Sequence, residues 1–251
     1  MVSWADIEGR RVLEIGAGHG ALTELMAERA EQLWVVEIDP RLASELRGRF
    51  RDIGRVTIVE ADVLRVDLRA LVHAPVHIVA SLPYESGTAI VRRLLELPGL
   101  FADVVVMLQR EVCQRMLASP GSRRYGLLSI HVAMRADGVA GRVVSPGSFR
   151  PAPQVQSQIL RLRPLGALRH PVGDESHFAA LVRVAFAERR KMLRNTLGRW
   201  LERCVGLQGA ARTFAAASID PSQRPETVSV ESFARASLES YRMLSERAGT
   251  T

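Results

Sequence analysis

At Ser81-Leu82-Pro83-Tyr84 the apolar run "VHIVA" gives way to a hydroxyl, a proline turn and an aromatic ring, just before the helix-like stretch "TAIVRRLLE". These residue types suit work on an amine attached to an aromatic base. The lone pair of such an amine is delocalised into the ring, so attack by the nitrogen requires it to become more tetrahedral. Acceptors aimed at its hydrogens favour that change. The Ser81 hydroxyl and the Leu82 carbonyl are candidate acceptors, Pro83 stiffens the turn, and Tyr84 offers a face on which the base stacks. A plainer reading makes Ser81 the cap of the following helix, Tyr84 partly core and Pro83 only the marker of a turn.

Three strand ends further upstream favour the chemical reading. "EIGAGHGA" follows a strand and opens a helix, so that Gly16, Gly18 and Ala21 satisfy the G-x-G-x-x-G/A pattern of dinucleotide binding. Gly16 permits the tight turn and Gly18 lets the backbone approach a ligand. Glu37, at the end of the next strand, is placed to hold a pair of ribose hydroxyls. These features serve NAD and S-adenosylmethionine equally. Glu14, just before the glycines, helps to order the loop and favours a cationic ligand, as a sulfonium with an amino group is. Asp62, in "VEADVL", can accept the exocyclic amine of an adenine held across the strand tips. A dehydrogenase has no use for the Ser81–Tyr84 motif, whereas a methyltransferase acting on an amine does. S-adenosylmethionine is therefore the expected cofactor, with contacts at Glu14, Gly16, Gly18, Glu37, Asp62 and Ser81.

The elements that must position these residues follow from periodicity. "RRVLEIG", "QLWVVEID" and "RVTIVEAD" read as strands, with "ALTELMAERA" and "PRLASELRGRF" as the helices between them. "VHIVA" and "ADVVVMLQ" are near-continuous apolar runs, as in strands covered on both faces. "GVAGRVVSP" and "QSQILRLRP" read as a closing pair, and the alternation of Arg161 and Arg163 suggests an exposed face on the last strand. From about Pro171 the period becomes helical, with Phe178, Leu181, Val182, Ala185, Phe186, Leu193, Leu197, Trp200 and Leu201 on one side. A final helix is opened by a Ser or Glu cap within "SVESF". The expected fold is α/β, a doubly wound Rossmann-like sheet over residues 1–165 with a small all-helical domain over residues 171–251.

The formal charge of +7 points toward a polyanionic partner. Lys191 is the only lysine among 34 basic residues, a preference that fits base composition better than any binding role. Arg183, Arg190, Lys191 and Arg194 fall on one side of the expected helix, opposite Phe186, Leu193 and Leu197, which suits a stripe that tracks phosphates. Cys113 and Cys204 build no disulfide framework, and with six unclustered histidines they give no metal-ligand spacing. Cys113 reads as core. No apolar run reaches the length of a membrane span and no signal-peptide pattern is present, which points to the cytosol.

Taken together, Glu14, Gly16, Glu37, Asp62 and "SLPY" resemble the S-adenosylmethionine-dependent amine methyltransferases. "SFRPAPQVQSQILRLRP", "AFAERRKMLRNTL", "SIDPSQRPETVSVESF" and "MLQREVCQRMLASPGSRRYGLLSI" narrow the resemblance to the bacterial small-subunit ribosomal RNA adenine dimethyltransferases, the KsgA-like family. It extends from Val12 to Phe233. The resemblance implies a class I methyltransferase sheet, cofactor contacts at Gly16, Glu37, Asp62 and Ser81, and a target adenine between Ser81 and Tyr84. It also implies a small-subunit RNA, or an immature small-subunit particle, as partner. Two departures lead to a second expectation. Ser81 stands where the family usually has Asn, and the first strand is reached at Arg11 without the family's basic, cofactor-covering leader. Both fit a weakly active or non-catalytic small-subunit assembly factor. A large-subunit methyltransferase of the macrolide-resistance type shares the first domain, but "RRKMLRN" and "FRPAPQVQS" argue against it.

Overall fold

The computed structural model describes residues 1–149 and 153–248. Arg150, Pro151 and Ala152 of the segment "SFRPAPQVQSQILRLRP" lie outside the described residues. Contacts within the chain divide it into two units, Met1–Gln114 with Arg135–Ala167, and Arg115–Met134 with Leu168–Thr251. The division is discontinuous, whereas the sequence alone suggests one boundary between 165 and 171.

The first unit is built on β1 (Arg11–Ile15), β2 (Gln32–Glu37), β3 (Val56–Glu60), β4 (Val76–Ser81), β5 (Phe101–Gln109), β6 (Ala136–Val144) and β7 (Ser157–Pro164). Its helices are α1 (Ala21–Ala27), α2 (Pro40–Phe50), α3 (Leu68–Leu71) and α4 (Gly87–Leu95), and α5 (Arg110–Met116) begins in it. The strands stand in the order β3-β2-β1-β4-β5-β7-β6. The first five are parallel, and β7 is antiparallel to both β5 and β6. Order reverses between β1 and β4, because the chain builds outward through β2 and β3 and then returns to the other side of β1. Such a switch point opens a crevice beyond the carboxyl ends of the strands.

The helices form where local chemistry calls for them. Asp39 accepts the N–H of Arg41 at 2.8 Å, and Pro40 occupies the first turn, so α2 starts with a cap and a preset φ. Leu46 and Phe50 of α2 then pack with Met26, Leu33 and Val35 in a core that continues through Val79 and Val105.

One expectation is corrected in this unit. β6 lies at the sheet edge with Val139 and Val143 in solvent, and on β7, which lies between β5 and β6, Arg163 is exposed as the alternation suggests. Arg161 does not face solvent. Its Nε donates to Asp103 Oδ1 on β5 at 2.9 Å, its Nη2 lies 2.9 Å from Oδ2, and its Nη1 donates to the carbonyl of Trp4. A buried carboxylate needs such a partner, and the neighbouring strand supplies it.

The second unit contains α6 (Leu127–Arg135) up to Met134, together with α7 (Glu175–Phe186), α8 (Leu197–Ala216) and α9 (Val230–Ala248). Its core joins Tyr125, Ile130 and Met134 to Phe178, Leu181, Leu197, Phe214 and Phe233. Ser229 accepts the N–H of Ser232 at 3.0 Å, so the serine cap expected for the last helix is the one used. The expected basic helix is corrected. α7 ends at Phe186, residues 187–190 form turns, and Leu193–Asn195 is a single 3-10 turn. The N–H groups of Leu193 and Arg194 go to the carbonyls of Gln223 and Pro221, which draws the chain out of the helix while Leu193 stays buried. Arg183 is thus on α7, and Arg190, Lys191 and Arg194 lie on the connection after it, all exposed.

Candidate active site

The glycine loop between β1 and α1 owes its path to three left-handed residues, of which Gly16 (φ 69°) and Gly18 (φ 57°) are the two that the sequence motif singles out. A Cβ on Gly16 would stand 3.8 Å from Pro83 Cδ and 4.0 Å from the Ser81 carbonyl oxygen. The loop and the Ser81–Tyr84 turn therefore meet across the β1/β4 switch point.

Glu37 closes β2 and ties the loop down. Its Oε2 accepts the N–H of Gly18 at 3.0 Å, and its Oε1 accepts those of Ile38 and Asp39 at 2.9 and 3.0 Å. A carboxylate has about four acceptor positions, so one remains for a ligand hydroxyl. Glu14 lies deeper. It is 1% exposed, and its Oε2 accepts the hydroxyl of Thr23 on α1 at 2.6 Å. Burial pushes its carboxyl up to about 7, against the Thr23 hydrogen bond that lowers it and with a smaller contribution from the charge of Glu37. Glu14 thus holds α1 to β1 through Thr23.

Asp62 follows β3 and makes its own turn. Its Oδ1 accepts the N–H of Leu64 at 2.9 Å, and its carbonyl accepts those of Arg65 and Val66. Oδ2 lies 3.5 Å from Nε of exposed Arg65.

Ser81 is the last residue of β4 and caps no helix; α4 starts six residues later, at Gly87. The cap of the plainer reading is therefore absent, while Tyr84 is half-buried and Pro83 stands in a turn, as that reading has it. The N–H of Leu82 is bound to the Met107 carbonyl at 3.1 Å and that of Gly87 to the Pro83 carbonyl at 2.8 Å, which fixes the turn between β5 and α4. Tyr84 Oη and Ser157 Oγ are 2.7 Å apart, so the ring is held by β7. Ser81, Leu82, Pro83 and Tyr84 line a cavity of about 280 Å³, completed by Met107, Phe149, Pro153 and Ser157. This is near the roughly 300 Å³ at which small-molecule sites begin. Phe149, Ser157 and Thr23 are site residues that the sequence motifs do not reveal. Phe149 sits in the "SFRP" segment, where an aromatic before a proline-rich run is the only available signal.

Among the described residues, no group of His, Cys, Asp and Glu is arranged to hold a metal ion. Cys113 is buried, its thiol pushed up to about 12 by burial, as suits a core residue.

A glycine loop and three carboxylates at adjoining strand ends, with a polar turn across the switch point, suit a ligand that carries ribose hydroxyls, an adenine amine and a cationic centre. That ligand is S-adenosylmethionine, and the fold is that of a Rossmann-like class I methyltransferase. A dimethyladenosine transferase from Plasmodium falciparum has the same fold, with a TM-score of 0.81 at 23% identity over 96% of this chain and 94% of that one. The 23S rRNA methyltransferase ErmE has it with a TM-score of 0.69 at 24% identity, over 97% and 94%.

Sequence comparison is more specific. The family model described as ribosomal RNA adenine dimethylase matches residues 3–239. Ribosomal RNA small subunit methyltransferase A of Geobacter sulfurreducens is 44% identical over 231 residues, covering 90% of this chain and 83% of that one. The protein of the same name from Leptothrix cholodnii is 42% identical over 228 residues, covering 90% and 79%. The chain belongs to the ribosomal RNA adenine dimethylase family.

Proposed function

We propose that this chain methylates the exocyclic amine of adenines in small-subunit ribosomal RNA, using S-adenosylmethionine, and does so in the cytosol on the immature particle. The observation that carries this reading is the Ser81–Tyr84 turn. It lies across the switch point from the glycine loop, and its own cavity suits a base better than a whole cofactor.

When bound, S-adenosylmethionine supplies a methyl group on a positively charged sulfur. The chain's residues do the rest. Glu37 accepts from the ribose and Asp62 from the adenine amine, and Gly16 and Gly18 let the backbone approach, with Glu14 steadying the loop. An adenine amine in a duplex is hidden, so the base must come from a loop or be flipped out. Tyr84 and Phe149 give the extracted base aromatic faces. Ser81 Oγ and the Leu82 carbonyl accept the amine hydrogens, which favours a tetrahedral nitrogen whose lone pair leaves conjugation with the ring and faces the methyl. No side chain with a shifted pKa is needed as base, because the new N–C bond would form as the S–CH3 bond breaks, leaving a neutral thioether, and the surplus proton on nitrogen then leaves to water. The exposed cations Arg183, Arg190, Lys191 and Arg194 hold phosphates.

Transfer of labelled methyl to unmethylated small subunits, compared with naked RNA, tests the reading. The parent chain should label the particle, and Tyr84→Ala should abolish labelling while most particle binding remains, since one stacked base contributes about 1 to 3 kcal/mol. Labelling of large-subunit RNA alone, or none of either, would refute it.

A further inference from the structure

We infer that Arg93 is a positioning residue for the cofactor's adenine, and that it ties the cofactor side of the site to the target side through a single helix. The inference rests on the placement of S-adenosylmethionine proposed above.

Arg93 lies in the last turn of α4 and is half-buried. Its neighbour Arg92 points to solvent and pairs with Glu96 one turn on. Arg93 does something different. Its Nη1 donates to the carbonyl of Leu64, and its Nη2 donates to the carbonyl of Val66 at 2.6 Å. Both acceptors belong to the loop that begins with Asp62, and both are neutral, so no carboxylate is being neutralised by these contacts. A planar guanidinium presents its donors as a rigid fork, and two carbonyls two residues apart match it.

The Asp62 carboxylate depends on the loop that the fork holds. Its Oδ1 takes the N–H of Leu64, and its main-chain carbonyl takes those of Arg65 and Val66. Residues 64 and 66 are thus tied to Asp62 through their N–H groups and to Arg93 through their C=O groups. Releasing the carbonyls frees the loop to rotate about its anchors, buried Val63 and Leu68, and Asp62 moves with it. At its other end α4 begins at Gly87, whose N–H is bound to the Pro83 carbonyl of the target turn. One rigid helix therefore carries the target turn on its N-terminus and the adenine-binding loop on its C-terminal arginine.

Binding of S-adenosylhomocysteine and of S-inosylhomocysteine to the whole chain, measured by calorimetry, separates this role from general stabilisation. The inosine base has a carbonyl where adenine has its amine, so it offers Asp62 no amine hydrogen. Arg93→Met should weaken the adenosyl ligand about tenfold, the loss of a charge-assisted hydrogen bond, and Arg93→Lys, a point donor without the fork, by less. The inosyl ligand should change less than twofold in both variants. With Asp62→Asn, the Arg93→Met loss should largely vanish, because both changes act through one carboxylate. In methyl transfer, KM for S-adenosylmethionine should rise with kcat nearly unchanged. Equal weakening of both ligands, additive losses with Asp62→Asn, or unchanged binding in a folded Arg93→Lys chain would overturn the inference. A parent chain that binds neither ligand would overturn the proposed function itself, and this inference with it.

Discussion

At the scale of single residues, Glu14 gives the sharpest prediction, because its carboxyl titrates differently in the folded and unfolded chain. Burial raises it from an ordinary 4.5 to about 7. Between those values the folded chain keeps a proton that the unfolded chain has lost, so stability falls as pH rises through that window and levels off above about 7. The span corresponds to a loss of about 3 kcal/mol at most. Glu14→Gln keeps an acceptor for Thr23 and removes the titration. The variant should show a flatter stability profile between pH 5 and 7 and unfold at a higher temperature than the parent at pH 8; identical profiles in thermal melts would show that Glu14 carries no such penalty. Glu14, Gly16, Glu37, Asp62 and the Ser81–Tyr84 turn were legible in the sequence because each sits at a strand end whose position the apolar runs announce. Thr23, Phe149, Ser157 and Arg93 were not, since each matters only through a partner distant in sequence: nine residues for Thr23 and Glu14, and 73 for Tyr84 and Ser157.

At the scale of elements, the central parallel strands were readable because being covered on both faces leaves an apolar run with little alternation, as in the burial of β4 and β5. The two misread elements failed for a shared reason. Arg161 looks like a solvent residue until β5 places Asp103 beside it, and the basic stretch after Phe186 looks helical until residues 221 and 223 take its N–H groups. In both cases a partner remote in sequence outweighed the local pattern. The junction of the target turn with α4 yields a further test. A Cβ at Gly87 would stand 2.4 Å from Leu108 Cδ2 and 3.4 Å from Leu82 Cβ. Gly87→Ala must displace either Leu108, which is 1% exposed, or the Leu82 turn itself. Overpacking of this kind costs about 1 to 3 kcal/mol. The variant should melt lower and lose kcat well beyond what its folded fraction explains, and a kcat that follows the folded fraction would place the turn outside the chemistry.

At the scale of the whole molecule, the charge of +7 and the placement of Arg190, Lys191 and Arg194 outside the unit that carries the proposed site predict that affinity for RNA and chemistry come apart. Each phosphate left without its cation reduces the slope of log affinity against log salt by about 0.7 to 0.9. Replacing Arg190, Lys191 and Arg194 with Ala should flatten that slope by about 2 to 3 for small subunits and leave S-adenosylmethionine binding as it was; an unchanged slope would make the connection after α7 a solvated surface. The place of β7 between β5 and β6 has a consequence for how the chain is made. A ribosome releases β5, with its apolar run "FADVVVMLQ", well before the strand that covers its free edge. The intervening segment Arg115–Met134 meanwhile carries Tyr125, Ile130 and Met134, whose core partners are encoded after Leu168. A nascent chain that has emerged from the ribosome as far as Arg135 would thus expose an open strand edge and the unburied apolar residues Tyr125, Ile130 and Met134 at once.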